Sequence, residues 1–128
     1  MKFVKITVAA ALLSTFALAM AGEIKPFNQG DFDALSAAGK SVVLDISAPW
    51  CPTCVVQKPI IEKLMKQPDF HDVTLLTLDF DKSKPALKKF RVSQQSTLVA
   101  FKGGIEVGRS VGDTTPDGLD GLIRKTVN

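Results

Sequence analysis

Short apolar runs along the chain predict the strands of a sheet. Four of these runs are rich in β-branched residues, as buried strands are: residues 41–46, 73–79, 97–102 and 105–111. The last two runs are separated only by Gly103-Gly104, which is typical of a two-residue hairpin turn. We therefore expect these two strands to be antiparallel neighbours.

Helical periodicity predicts four helices around these strands. Residues 28–38 place Phe32 and Leu35 on one face, and residues 83–90 predict a short helix. The helix after residue 51 has its apolar face at Val55, Ile60, Ile61, Leu64 and Met65. The last helix, opened by Thr114, Pro116 and Asp117, has its apolar face at Leu119, Leu122, Ile123 and Val127. This order predicts an α/β sandwich, in which helices cover both faces of a central mixed β-sheet.

The first 21 residues have the pattern of a secretory signal peptide. Lys2 and Lys5 precede an apolar run over residues 6–20, and Ala19-Met20-Ala21 is a small-residue cleavage signal. A membrane anchor is the alternative, but three hydroxyl residues interrupt the run, and it is shorter than the roughly 20 residues that a spanning helix needs. We expect cleavage after Ala21 and export, to the periplasm first of all and otherwise to the exterior.

Cleavage would leave residues 22–128 as one domain with a single core. The chain has 16 basic and 13 acidic residues, and both Lys2 and Lys5 would be lost. The mature domain would therefore carry a net charge of about +1 in place of the formal +3 of the full chain. Binding to nucleic acid rests on many phosphate contacts, so we expect no nucleic-acid partner.

Candidate chemistry is concentrated at Cys51 and Cys54, the only two cysteines of the chain. A structural disulfide between them would close a loop of two residues and would stabilise the fold little. A structural zinc site needs about four ligands, and His71 is the only other strong candidate. Reversible thiol chemistry is the best interpretation, because Cys51 lies where a strand gives way to a helix. Unpaired N–H groups at a helix N-terminus stabilise a thiolate, and Pro52 suits the first helical turn.

The stretches VVLDISAPWCPTCVVQKPIIEKL and FRVSQQSTLVAFKGGIEVGRSVG resemble the thioredoxin family over nearly all of the mature domain. The resemblance implies a thioredoxin-like sandwich in which Cys51 is the exposed nucleophile and Cys54 the buried resolving thiol. It also implies that Asp45, on the preceding strand, accepts the proton of Cys54. A purely structural Asp45 is the alternative. Substrate contacts are expected from five residues near the cysteines: Trp50, Pro52, Thr53, Gln95 and Ser96.

Three positions depart from the family pattern. Most thioredoxins have a cis-proline facing the cysteines, where this chain has Ser96. Either the bond between Gln95 and Ser96 is trans, or the fold carries a strained cis bond there. The Ser96 hydroxyl could bind the Cys51 sulfur, and the loss of proline could open the site to a metal ion or to different substrates. Thr77 stands where a lysine often neighbours the buried acid, and Ser47 replaces a common aromatic residue.

The leading function is an exported thiol–disulfide oxidoreductase that acts as a reductant or electron carrier. We expect protein or small-molecule disulfides as substrates and no cofactor besides the redox-active disulfide between Cys51 and Cys54. We expect no metal site and a monomer, and the resemblance suggests a membrane thiol-transfer protein as electron donor. Two alternatives remain: a copper carrier, since soft thiolates suit cuprous ion, and a non-catalytic module that binds extended peptides.

Overall fold

A five-stranded mixed sheet forms the centre of the computed structural model, which describes residues 20–128; most of the predicted signal peptide, residues 1–19, lies outside the described residues. The strands are β1 (Glu23–Pro26), β2 (Ser41–Ser47), β3 (Val73–Asp79), β4 (Thr97–Lys102) and β5 (Ile105–Val111). The helices are α1 (Gln29–Ala37), α2 (Pro52–Met65), α3 (Lys84–Lys89) and α4 (Pro116–Arg124), and one 3₁₀ turn spans Pro68–Phe70.

The strands follow the order β1-β3-β2-β4-β5 across the sheet. β1, β3 and β2 are parallel, whereas β4 runs antiparallel to both β2 and β5. The three central strands are almost entirely buried because helices cover both faces of the sheet. The predicted α/β sandwich with a mixed sheet is confirmed.

Alternate residues of the central strands supply two separate cores. Val43 of β2 packs with residues of α2 and α4, whereas its neighbours Val42 and Leu44 pack on the other face with α1 and α3. This division follows from the two-residue period of a strand. The second core includes four phenylalanines in mutual edge or tilted contact: Phe27, Phe32, Phe90 and Phe101. The two cores hold β2 rigidly, and the end of β2 carries the cysteine loop.

The hairpin between β4 and β5 forms as predicted. Gly103 and Gly104 have φ angles of 56° and 79°, in the left-handed region that glycine adopts without a steric penalty. This turn returns β5 alongside β4 and brings residues 112 and 113 back toward the cysteine end of the sheet. None of the helices in residues 20–128 combines the length and the apolar character needed to cross a membrane.

Three local features differ from the sequence predictions. The pattern missed β1, because this edge strand has only four residues and ends in a proline. The N-cap of α4 is Thr115, whose hydroxyl accepts a hydrogen bond from the Gly118 amide, and not Thr114. On α2, Val55 is 63% exposed, whereas Gln57 is only 1% exposed. The buried stripe of α2 therefore shares only Ile61, Leu64 and Met65 with the predicted one; Cys54 and Gln57 complete it, and Ile60 is half-buried.

Candidate functional site

Cys51 is the N-cap of α2, at the end of the short loop that follows β2. Its backbone is extended (φ −89°, ψ 110°), and its Sγ accepts a hydrogen bond from the Cys54 amide at 3.2 Å. The sulfur thus occupies the place where a serine or aspartate oxygen usually caps a helix. Pro52 begins the helix, where its missing N–H leaves no donor unpaired. Negative charge on Cys51 is favoured here, because the first N–H groups of α2 point toward it.

The loop before β4 completes the site by placing Ser96 against both sulfurs. Ser96 Oγ lies 3.1 Å from Cys51 Sγ and 3.0 Å from Cys54 Sγ. The bond between Gln95 and Ser96 is trans, as are all the peptide bonds of residues 20–128. The backbone of Ser96 has instead a φ of 59°, in the left-handed region that serine rarely adopts. The loop therefore meets the cysteines with a hydroxyl in place of the proline ring that is common in the resembled family.

Gln57 holds this loop in place, although the sequence interpretation did not single it out. Its Nε2 donates to the Asp113 carbonyl at 2.7 Å and to the Ser96 carbonyl at 3.4 Å. The Gly112 amide also donates to the Ser96 carbonyl, at 2.9 Å. Helical spacing could have found Gln57, since it lies three residues after Cys54 and four before Ile61, both buried. A glutamine on the buried stripe of a helix must find polar partners, and here they are loop carbonyls.

Both cysteines are free thiols, and both are buried. Cys51 is 2% exposed and Cys54 is 6% exposed. The expectation of an exposed nucleophile is therefore wrong for this conformation. The side chains pack against Ala48 and Phe80, and the Ser96 hydroxyl lies over both sulfurs. Little of the surface of either cysteine is therefore accessible in this conformation.

The two thiols have different pKa values because their surroundings differ. Burial alone would raise the pKa of Cys51, but hydrogen bonds from the Cys54 thiol, the Ser96 hydroxyl and the amides at positions 53 and 54 together lower it. The pKa of Cys54 is raised, because burial and the neighbouring Cys51 outweigh its hydrogen bonds to Ser96 and the Ala48 backbone. The first proton to leave the pair is therefore that of Cys51.

Asp45 is the only acidic residue on β2, and it shares a cavity with Cys54. The cavity, of about 500 Å³, is also lined by Ser47 and Thr77, which are two of the three positions that depart from the family pattern. Burial raises the pKa of Asp45 from 3.8 to about 6. Its carboxyl group has no hydrogen-bond or ion-pair partner among the described residues. A carboxylate in this setting is costly, and so it takes up a proton readily.

The predicted substrate-contact residues lie around the buried sulfurs. Trp50 is 58% exposed, and its indole Nε1 donates to Asp81 Oδ2 at 2.7 Å. Pro52 is exposed on the first turn of α2, while Thr53 and Gln95 are half-buried. The structure brings all five predicted contact residues to one end of the sheet. Contact between them and a substrate remains a prediction.

Together, the site offers two thiols of unequal acidity, a hydroxyl that touches both and a buried carboxyl group nearby. This arrangement suits dithiol–disulfide exchange, in which one sulfur attacks and the other displaces the product. Residues 20–128 contain no group of three or more His, Cys, Asp or Glu side chains placed to hold a metal ion.

Comparison with known proteins agrees with this chemistry. A family model described as Thioredoxin matches residues 23–125. The chain is 41% identical over 90 residues to a thioredoxin of Chlamydia muridarum, which covers 70% of this chain and 86% of that one. It is 38% identical over 93 residues to Thioredoxin-2 of Saccharomyces cerevisiae, covering 73% and 86%. The crystal structure of Trxlp from Edwardsiella tarda matches with a TM-score of 0.77 and 39% identity, covering 79% of this chain and 98% of that one. The chain is therefore a member of the thioredoxin family, whose homologues are thiol–disulfide oxidoreductases.

Proposed function

We propose that this protein is an exported reductant of protein disulfides, in which Cys51 attacks and Cys54 resolves. The Cys51 thiolate attacks one sulfur of a substrate disulfide, forming a mixed disulfide and expelling the first substrate thiolate. Cys54 then loses its proton and attacks Cys51 Sγ, which expels the second substrate thiolate. The two electrons that reduce the substrate come from the two cysteine sulfurs, which end as a disulfide. The two-residue spacing makes the second step intramolecular.

The likeness to thioredoxins, whose cysteine pairs are reducing at roughly −270 mV, supports the proposed direction of electron flow. When Cys51 is ionised at neutral pH, the reduced site contains two negative charges. One is the Cys51 thiolate, and the other is the carboxylate of Asp45, whose pKa is about 6. Cys51 lies in contact with Cys54, and Asp45 lines the same cavity as Cys54. Oxidation of the pair removes the thiolate charge from the neighbourhood of the Asp45 carboxylate, which favours the disulfide form, whereas the hydrogen bonds that lower the pKa of Cys51 stabilise the dithiol form and act in the opposite direction. A site in which the first effect prevails favours its own disulfide and therefore donates electrons.

We further propose that Asp45 takes the proton of Cys54 during the second step. The two residues line one cavity, and a pKa of about 6 lets the carboxylate accept a proton at neutral pH. The lysine that often accompanies this acid in the family is replaced by Thr77. With no cation beside it on β3, Asp45 holds a proton more strongly than a carboxylate next to a lysine would.

Export, a membrane electron donor and a monomeric state complete the proposal. The first element of the domain is β1, which begins at Glu23, two residues after the predicted cleavage point. Cleavage after Ala21 would therefore leave intact every strand and helix of the part of the chain that the structure describes. An exported reductant needs electrons from inside the cell, and a membrane protein that exchanges thiols would supply them.

The reduction potential of the Cys51–Cys54 pair tests the direction. The mature domain is equilibrated in defined thiol buffers, and its free thiols are counted by alkylation. A value near the roughly −270 mV of thioredoxin is expected, whereas a value near about −120 mV would identify a disulfide donor and overturn the proposal.

A second experiment tests export and state of assembly. The full-length chain is expressed in a bacterium with a periplasm, which is then fractionated. Mass spectrometry is expected to find a periplasmic protein that begins at Gly22, and light scattering is expected to give the mass of one chain. An uncleaved protein in the cytoplasmic fraction would contradict export.

A further inference from the structure

Among residues 20–128, Ser96 is the one side chain outside the cysteine pair that touches both sulfurs with a polar atom. Its Oγ is almost equidistant from them, at 3.1 Å from Cys51 and 3.0 Å from Cys54. It is also shielded from water, since Ser96 is only 4% exposed. A proline at this position has neither a hydroxyl nor any other polar side-chain atom. The contact is therefore a property of this chain that the family pattern does not supply.

A hydroxyl has a single proton, so Ser96 can donate to only one sulfur at a time. In the reduced protein the anion belongs on Cys51, which also accepts the Cys54 amide at 3.2 Å. The Ser96 hydroxyl then donates to the Cys51 thiolate, and the Cys54 thiol shares its single proton between the Cys51 sulfur and the Ser96 oxygen. This order satisfies all three groups without a water molecule. It also forms a continuous chain of hydrogen bonds from the resolving thiol to the nucleophile.

The charge moves during the reaction. Once Cys51 is bonded to substrate sulfur, it carries no negative charge and no longer attracts the hydroxyl proton. Cys54 must then lose its own proton, to Asp45 under the proposed function, and become the thiolate. A rotation about the Cβ–Oγ bond of Ser96 re-aims the hydroxyl proton while the oxygen stays in place, because both sulfurs lie within hydrogen-bond distance of Oγ.

We propose that the Ser96 hydroxyl is a catalytic hydrogen-bond donor that stabilises the thiolate first on Cys51 and then on Cys54. No proton is consumed and no bond of Ser96 breaks, because the hydroxyl changes only its acceptor. In the first step the Cys51–substrate bond forms and a substrate thiolate leaves. In the second step the Cys54–Cys51 bond forms and the other substrate thiolate leaves. The donor follows the negative charge from one sulfur to the other.

The backbone of the loop fixes the hydroxyl at this position. Ser96 has a φ of 59°, and its carbonyl accepts hydrogen bonds from Gln57 Nε2 and from the Gly112 amide. These contacts tie the residue to α2 and to the end of β5. An uncommon backbone conformation that its neighbours hold in place is typical of a functional position.

The test compares Ser96→Ala with Ser96→Gly in the mature domain. Both variants lack the hydroxyl but differ in the backbone. Alanine, like serine, disfavours a positive φ angle, whereas glycine adopts a positive φ angle freely. The pKa of Cys51 is read from the pH dependence of its alkylation. A symmetrical nitroaromatic disulfide, used in stoichiometric amounts, reports the two chemical steps as two successive releases of its coloured thiolate.

In both variants we expect the pKa of Cys51 to rise by about one pH unit or more, because a hydrogen bond to a charged group is lost. At a pH below that pKa, the fraction of Cys51 present as thiolate falls about tenfold. The remaining thiolate is a stronger nucleophile because its pKa is higher, so the attack step slows only about threefold. The second release is expected to slow by a similar factor, because the Cys54 thiolate loses the same donor. A residue that only fills space would leave the alkylation profile unchanged.

Three results would overturn the proposal. An unchanged Cys51 pKa in both variants would show that the Ser96 hydroxyl does not stabilise the Cys51 thiolate. A slower first release with an unchanged second release would show that the hydroxyl does not stabilise the Cys54 thiolate. A change in Ser96→Gly alone would assign the effect to the backbone. These readouts use a small disulfide and purified protein, so they stand whether or not the protein is exported or acts as a reductant in the cell.

Discussion

Asp45 on β2 is paired in parallel register with Thr77 on β3, so the neighbour of the buried acid on the adjacent strand is a neutral hydroxyl residue. This pairing leaves the carboxyl group beside an open cavity without a positive charge on β3 to balance it. Burial then decides its acidity and raises the pKa to about 6. The first two predictions follow from this relationship.

Asp45→Asn is expected to stabilise the protein at neutral pH. The folded-state pKa of about 6 lies above the ordinary value of 3.8, so between these values the folded protein binds more protons than the unfolded one. Stability therefore falls as the pH rises through this window, by up to about 3 kcal/mol, and then levels off. The Asp45→Asn protein does not lose stability in this way, because asparagine does not ionise. Urea unfolding of both proteins from pH 3 to pH 8 measures the difference.

Glu62→Gln is the matched control, since Glu62 lines the same cavity but is exposed. Its stability relative to the unsubstituted protein is expected to stay constant across the same pH range. An Asp45→Asn protein that gains nothing between pH 4 and pH 7 would contradict the raised pKa.

Asp45→Asn is also expected to slow the resolution step more than the attack step. Removal of a positioned base costs about 100-fold where that base takes the proton in the rate-limiting step. The attack of Cys51 needs no proton acceptor once the thiol is ionised. Rapid mixing with a disulfide separates the two steps, and equal effects on both would assign Asp45 a structural role.

Gln57→Leu is expected to loosen the Ser96 loop. The change keeps the approximate size of the side chain but removes the donor to the Asp113 and Ser96 carbonyls. We expect a loss of about 1–2 kcal/mol in the free energy of unfolding, since the buried Gln57 Oε1, which has no partner among the described residues, offsets part of the penalty. Denaturant unfolding measures it, together with the pH profile of Cys51 alkylation.

Gln94→Leu serves as the control for that change, because Gln94 is exposed on the same loop. It is expected to leave both stability and thiol acidity unaltered. If the Gln57 variant keeps the stability of the unsubstituted protein, the two carbonyls do not depend on this side chain.

Trp50→Phe is expected to weaken the reaction with protein disulfides while leaving small disulfides nearly unaffected. The indole is 58% exposed beside Cys51 and is held by Asp81 at 2.7 Å. Phenylalanine loses that hydrogen bond and part of the apolar surface, for which we expect a decrease of about fivefold in kcat/KM, equivalent to about 1 kcal/mol.

Ile105→Ala, on the hairpin, is the comparison for exposed apolar surface away from the site, since Ile105 is 72% exposed. This variant is expected to keep its activity on both kinds of substrate. An equal decrease in kcat/KM for the two variants, or a decrease on small disulfides with Trp50→Phe, would contradict the proposed contact between Trp50 and protein substrates.

The sequence by itself determined the order of the main elements and the chemistry of the cysteine pair. Hydrophobic runs identified β2 to β5 because buried strands need continuous apolar residues, and Gly103-Gly104 identified the hairpin because its turn needs positive φ angles. A pair of cysteines at the start of a helix predicted a stabilised thiolate, in agreement with the lowered pKa of Cys51.

Only the tertiary structure decided how the site is closed. The contacts of the Ser96 hydroxyl with the two sulfurs and the hydrogen bond from Gln57 to the Ser96 carbonyl join segments 39 to 45 residues apart. The burial of Cys51 depends in addition on Phe80, which follows the next strand of the sheet. Local periodicity contains no information on such contacts, because they depend on how β2, α2 and the loop before β4 meet at the end of the sheet. The acidity of Asp45 is decided in the same way, since it depends on how far folding removes the carboxyl group from water.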